Sequence, residues 1–107
     1  MKYKVMKLLC MFDLPVDTKK EQRIYRKFRK KLIEEGFVML QYSIYMRTCP
    51  TREFANRLMN RLKKKPPQDG NIRLLTITEK QYDDMVLLVG SKSLNEKSLG
   101  EERLVVL

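Results

Sequence analysis

A chain of 107 residues makes one domain, and its formal charge of +10 with no histidine narrows the chemistry it can support. His-based acid–base catalysis, Ser-His or Cys-His nucleophile pairs and ordinary zinc sites are excluded. The four glycines are scattered and form no phosphate loop, so carboxylates with a hard cation remain as the means of an enzyme.

The charge is unevenly spread. Residues 1–65 hold 18 Lys/Arg against 6 Asp/Glu, and residues 66–107 hold 5 against 7. Clustered positive charge points to a polyanion, most often nucleic acid, over a merely soluble basic surface. A domain this small buries only roughly two-thirds of its unfolded surface, so a partner subunit would help it. Cys10 and Cys49 have no metal-type spacing and require no disulfide. Together with the lack of a signal peptide or a membrane-length apolar run, this makes a reducing cytoplasm the expected compartment.

Residues 3–13 read as a buried strand, apolar from Val5 to Phe12, ending in Asp13 and stopped by Pro15. A lone acid at the mouth of such a strand is costly to place unless it has a use. The bland alternative is a turn-forming or helix-capping acid. Thr18-Lys19-Lys20-Glu21 is a capping box opening a helix, and Gly36 ends it as a left-handed cap. Ile24, Phe28 and Leu32 form its core stripe with Tyr25 beside them. Opposite lie Lys19, Lys20, Arg23, Arg26, Lys27, Arg29, Lys30 and Lys31, more charge than solubility needs and suited to phosphate contact.

Phe37 to Thr48 reads as one long bent strand or as two strands meeting near Gln41-Tyr42-Ser43. Thr51 caps a second helix running to about Lys64, with Phe54, Leu58, Met59 and Leu62 inward and Arg57 and Arg61 extending the basic surface. Pro66 to Gly70 is a turn, and Asn71 to Thr78 a strand with Ile72, Leu74 and Thr76 alternating against Arg73, Leu75 and Ile77. Residues 79–84 are a turn or short helical piece, and Met85 to Val89 a short apolar strand able to cross to a partner subunit and extend its sheet. Residues 1–90 make the domain. Residues 91–107 are a tail whose final Leu104-Val105-Val106-Leu107 either frays or pairs with a partner's sheet edge.

The order strand, helix, strand, strand, helix, strand is the α+β ferredoxin-like βαββαβ pattern, with an extra C-terminal strand. Both helices then lie on one sheet face, while residues for both faces are apolar. A second subunit covering the open face, sheet against sheet, resolves this as a two-fold homodimer.

Phe12-Asp13-Leu14-Pro15, Thr18-Lys19-Lys20 with Arg23, and Gly36-Phe37 with Met39-Leu40-Gln41, Ser43 and Tyr45 resemble CRISPR-associated protein two, as do Pro66-Pro67, Gly70 and Thr78-Glu79-Lys80-Gln81. Each motif alone is weak; their order and spacing over residues 3 to about 90 make the match, and its versions look most like members from type II systems. The resemblance implies a ferredoxin-like homodimer, a magnesium- or manganese-dependent endonuclease on RNA or double-stranded DNA, and a subunit that bridges dimers of the integrase, CRISPR-associated protein one, on foreign DNA. It places the metal-binding and catalytic aspartate on Asp13, paired across the dimer, and a basic helix position near Arg23. Ser43 and Tyr45 are either phosphate-orienting or core-edge residues. Met39 stands where many relatives carry Arg, a departure that touches any catalytic role of that position. A purely non-catalytic DNA-binding adaptor is the nearest alternative. An unrelated ferredoxin-like RNA-binding protein would want paired aromatics on the open sheet face, whereas Tyr42 and Tyr45 alternate to opposite sides.

Overall fold

The central strand, β1 (Met6–Asp13), is hydrogen-bonded on both sides in a computed structural model that describes residues 4–91. It is followed by α1 (Lys19–Glu34), β2 (Val38–Gln41), β3 (Ile44–Cys49), α2 (Arg52–Leu62), β4 (Asn71–Thr78) and the short α3 (Glu79–Asp83). The sheet order is β2-β3-β1-β4 and every neighbouring pair is antiparallel, the ferredoxin-like arrangement.

Local chemistry sets the element ends. The Thr18 hydroxyl accepts from the Glu21 amide at 3.1 Å, and the Glu21 carboxylate accepts from the Thr18 amide at 3.0 Å, closing the capping box. At the other end of α1, Gly36 adopts φ +91°, and Phe37 donates its amide to the Leu32 carbonyl at 3.0 Å and tucks its ring into the core. Thr51 caps α2 through the Phe54 amide.

Pairing register assigns the faces. Met6, Leu8, Cys10 and Phe12 of β1 point to the helices and share the core with Phe28, Leu32, Leu58 and Leu62. Phe12 is its hub, with ring centroids 5.3 Å from Phe28, 5.6 Å from Tyr45 and 5.9 Å from Tyr25. The cysteines are inert members of this core. Burial pushes the Cys10 thiol up to about 12, and burial also raises Cys49. Native protein at pH 8 is expected to resist a maleimide at both thiols and to react at both once unfolded. Labelling of Cys10 in the folded state would contradict its burial.

The other sheet face carries Lys7, Leu9 and Met11 of β1 beside Thr48, Met46 and Ile44 of β3 and Ile77, Leu75 and Arg73 of β4. At one end α3 closes over it, with the Tyr82 ring 5.1 Å from the Lys7 ammonium. Leu9 and Met46 are buried, but Leu75 remains 48% exposed.

Several expectations are corrected by this architecture. β1 starts at Met6, not residue 3, because its partners run out: Met6 pairs with Cys49 and Thr78, the last residues of β3 and β4. Of the two forms open for Phe37–Thr48, the structure has the two strands, joined at Tyr42-Ser43, with Ser43 at φ 67° and its carbonyl accepting from the Phe12 amide at 2.9 Å. Ile24 is 38% exposed, so the buried arc of α1 centres on Phe28 and Leu32. Ile24 lines a groove of about 640 Å³ with Leu14, Pro15, Pro66 and Pro67. Met85–Val89 is not a strand within this chain, since no edge of its own sheet pairs with it, and Leu88 and Val89 are each 89% exposed. The expected pairing of the 101–107 segment lies outside the described residues.

Gly70 locks the start of β4 to the end of β1. It adopts φ +91°, and a Cβ there would collide with the Asp13 carbonyl oxygen and press on the Leu14 Cα at 3.1 Å. Gly70→Ala is expected to cost at least about 2 kcal/mol, lowering Tm by roughly 10 °C. An unchanged melting curve would show that this contact relaxes freely.

Candidate metal and nucleic-acid site

Asp13 is the last residue of β1, and its side chain is exposed on the sheet face that the helices leave uncovered. Its position is held from both sides. Ser43 ties the preceding Phe12 amide, and Gly70-Asn71 packs on its own backbone, with Asn71 as its register partner. The alternative of Asp13 as a helix cap is excluded, because Thr18 fills that role. Among the described residues no group of three metal-ligating side chains occurs, and Asp13 is the carboxylate that β1 carries to this rim. That donor set fits a hard ion that accepts one or two carboxylates and retains its waters, as magnesium does.

The expected phosphate-orienting pair divides. Ser43 is half-buried beside the β1 end, at a backbone position fixed by its own carbonyl. Tyr45 is 2% exposed on the helix-covered face, and its hydroxyl accepts from the Arg29 Nε at 2.7 Å. Of the two roles open for Tyr45, the structure gives it the core one, with its polar tip already satisfied. Met39 packs against the core from β2, in register with Tyr45.

On α1, Lys19, Lys20, Arg23, Arg26, Lys27, Arg29 and Lys30 are all exposed, while Lys31 is half-buried and donates to the Lys64 carbonyl at 3.5 Å. At about 100° per residue, Lys19, Arg23, Arg26 and Lys30 fall within about 60° of one another, directly opposite Phe28 and Leu32. Arg29 lies to the side, turned to Tyr45. On α2, the Arg57 guanidinium stands 6.0 Å from the Phe54 ring centre, and Arg61 pairs with Glu35 at 3.0 Å. The hydrogen bond from Arg61, aided by its charge, holds the Glu35 carboxyl below its usual range. That pair contributes stability above the unfolded carboxylate pKa and loses it as pH falls through the folded value; being exposed, it contributes little. Arg61 reaches a phosphate only by sharing itself with Glu35.

Sequence reading leaves one residue of this region without a role. Arg73 is exposed on β4, opposite Met11, on the same face as Asp13. The signal was present: it is the only charge within the alternating Asn71–Thr78 strand.

The fold and site together define a ferredoxin-like α+β domain with a cationic helix stripe and a single exposed carboxylate at the end of its central strand. Residues 6–85 match the family model of CRISPR associated protein Cas2, and the chain belongs to that family. It is 45% identical over 102 residues to a CRISPR-associated endoribonuclease Cas2 of Ligilactobacillus salivarius, covering 95% of this chain and 100% of that relative. The protein of the same name from Campylobacter jejuni is 47% identical over 103 residues, 96% of this chain and 72% of its own. That of Lacticaseibacillus rhamnosus is 40% identical over 101 residues, 94% and 100% respectively. No helix among the described residues is long and apolar enough to cross a membrane.

Proposed function

We propose that this protein is a homodimeric nucleic-acid-binding subunit of CRISPR adaptation in the cytoplasm. In this reading it bridges integrase dimers of CRISPR-associated protein one on foreign DNA, and it hydrolyses RNA or duplex DNA with magnesium or manganese held by Asp13. The observation that carries the reading is the placement of Asp13, exposed at the rim of an apolar sheet face that no helix but α3 touches. Stacking two such faces covers Met11, Ile44 and Leu75, which the single chain leaves wholly or partly open, and brings two copies of the β1 end near a common axis. Two carboxylates, one per subunit, then suit a magnesium ion that keeps its remaining waters. When bound, the ion supplies a Lewis acid and a more acidic water. Hydrolysis adds the hydroxyl of a water to phosphorus, and the departing alcohol takes up the water's proton. The family resemblance, the relatives named endoribonucleases and the α1 stripe all support a nucleic-acid substrate.

Sedimentation of the pure protein is expected to give twice the chain mass. Incubation with RNA and with duplex DNA is expected to give products with magnesium or manganese and none with a chelator. A stable monomer without affinity for polynucleotides at low salt removes the reading. A purely architectural adaptor is the second reading. It is favoured by the absence, among the described residues, of any group of three metal-ligating side chains and by Met39 being turned to the core rather than offering a cation. Dimerisation and duplex binding without any cleavage would select it.

A further inference from the structure

We infer that Arg73 is a phosphate-holding residue that seats a phosphodiester beside Asp13, an inference that rests on the reading of Asp13 as the metal ligand. Asp13 pairs with Asn71 and Met11 with Arg73 across the β1–β4 ladder. Asp13 and Arg73 are therefore diagonal neighbours on one face, about 7–8 Å apart at the backbone. Both are exposed, and among the described residues neither side chain makes a hydrogen bond or an ion pair. Around them the face is apolar: Leu9, Met11, Ile44, Met46, Leu75 and Ile77.

An unpaired arginine on such a face gains nothing from its surroundings, and a dry interface would make it costly. The tip of β4 has no structural need of a cation, because its neighbours Ile72 and Leu74 supply the packing. What the position does provide is reach. The planar guanidinium fork matches two phosphate oxygens at once. A phosphate touching an ion on Asp13 lies within span of a side chain of this length one pleat back. Charge argues the same way. Two carboxylates and one divalent ion are neutral together, so the charge of the phosphodiester, and what builds on its oxygens as water attacks, needs a further fixed cation. Arg73 forms and breaks no covalent bond in this role. It positions the group and stabilises its oxygens.

The test compares wild type, Arg73→Ala, Arg73→Lys and Asp13→Ala as full-length protein. Manganese titration without nucleic acid is expected to show about threefold tighter binding in Arg73→Ala, because a nearby cation has gone, and none in Asp13→Ala. Inorganic phosphate added to manganese-loaded protein is expected to show paramagnetic broadening of its phosphorus signal in wild type. That broadening should be lost in Arg73→Ala and partly restored in Arg73→Lys. Single-turnover cleavage at saturating protein is expected to fall about 10²-fold in Arg73→Ala and to be partly restored in Arg73→Lys. Broadening that persists in Arg73→Ala, or is absent from manganese-loaded wild type, overturns the inference. So does a variant that sediments as a monomer, since Arg73 would then serve the dimer contact. Broadening that depends on Arg73 in a protein that cleaves nothing leaves the inference standing and removes hydrolysis alone. Wild type that binds no manganese removes the metal reading of Asp13 and this inference with it.

Discussion

Asp13→Ala is expected to lower divalent-dependent cleavage by about 10³-fold or more while leaving fold, dimer and duplex affinity intact. The Asp13 side chain is exposed and supports no neighbour by hydrogen bond, so its removal should shift stability by no more than about 0.5 kcal/mol. Duplex affinity should hold or rise slightly, because a negative charge leaves a cationic protein. Asp13→Asn separates shape from charge: it keeps the side-chain volume at the β1 end and should be as inactive as the alanine variant. Rates are best followed against magnesium concentration, since a weakened site would be rescued by more metal and an abolished one would not. Cleavage at the wild-type rate in Asp13→Ala would show that the carboxylate is not the catalytic ligand, and the architectural reading would gain.

Reversing the α1 stripe is the second large effect. Arg23, Arg26 and Lys30, all replaced by Glu, should weaken duplex binding at about 0.1 M salt by 10²-fold or more, and reduce the slope of log affinity against log salt by about 2–3. These three are exposed and stand opposite the core, so the helix should survive. Arg29 is left intact because its guanidinium satisfies the buried Tyr45 hydroxyl, and its loss would confuse a binding defect with a packing defect. Arg61→Glu is likewise avoided, since it would place a like charge against Glu35. A salt slope equal to that of wild type would move the nucleic-acid surface off α1. The two experiments are independent: one acts at the sheet rim, the other on the opposite side of the fold, and they can fail separately.

Particular residues show how far composition and spacing carried. The α1 stripe was legible because cations and apolar residues recur at the helical period, and that period needs no tertiary knowledge. The caps at Thr18 and Gly36 were legible for the same reason: capping chemistry is confined to a few neighbouring residues. The Tyr42-Ser43 turn was ambiguous because Ser43 takes a left-handed conformation that Gly or Asn usually announces. Ile24 fits the period but sits at the edge of the buried arc, where the groove with Pro66 and Pro67 leaves it partly open. Met85–Val89 has the composition of a strand, yet composition does not supply a pairing partner, and the segment joins neither of the two outer strands, β2 and β4, of its own sheet.

Chain order and residue spacing alone settled the βαββαβ class, the surplus of cations on the first helix and the candidacy of Asp13, all properties of near neighbours. Which face each strand residue joins is settled only by pairing between distant segments. Hydrogen-bonded register put Arg73 next to Asp13, sent Tyr45 into the core with Arg29 on its hydroxyl, and left Leu75 uncovered. A shift of one residue would have turned each of these the other way, because side chains alternate across a sheet with a period of two.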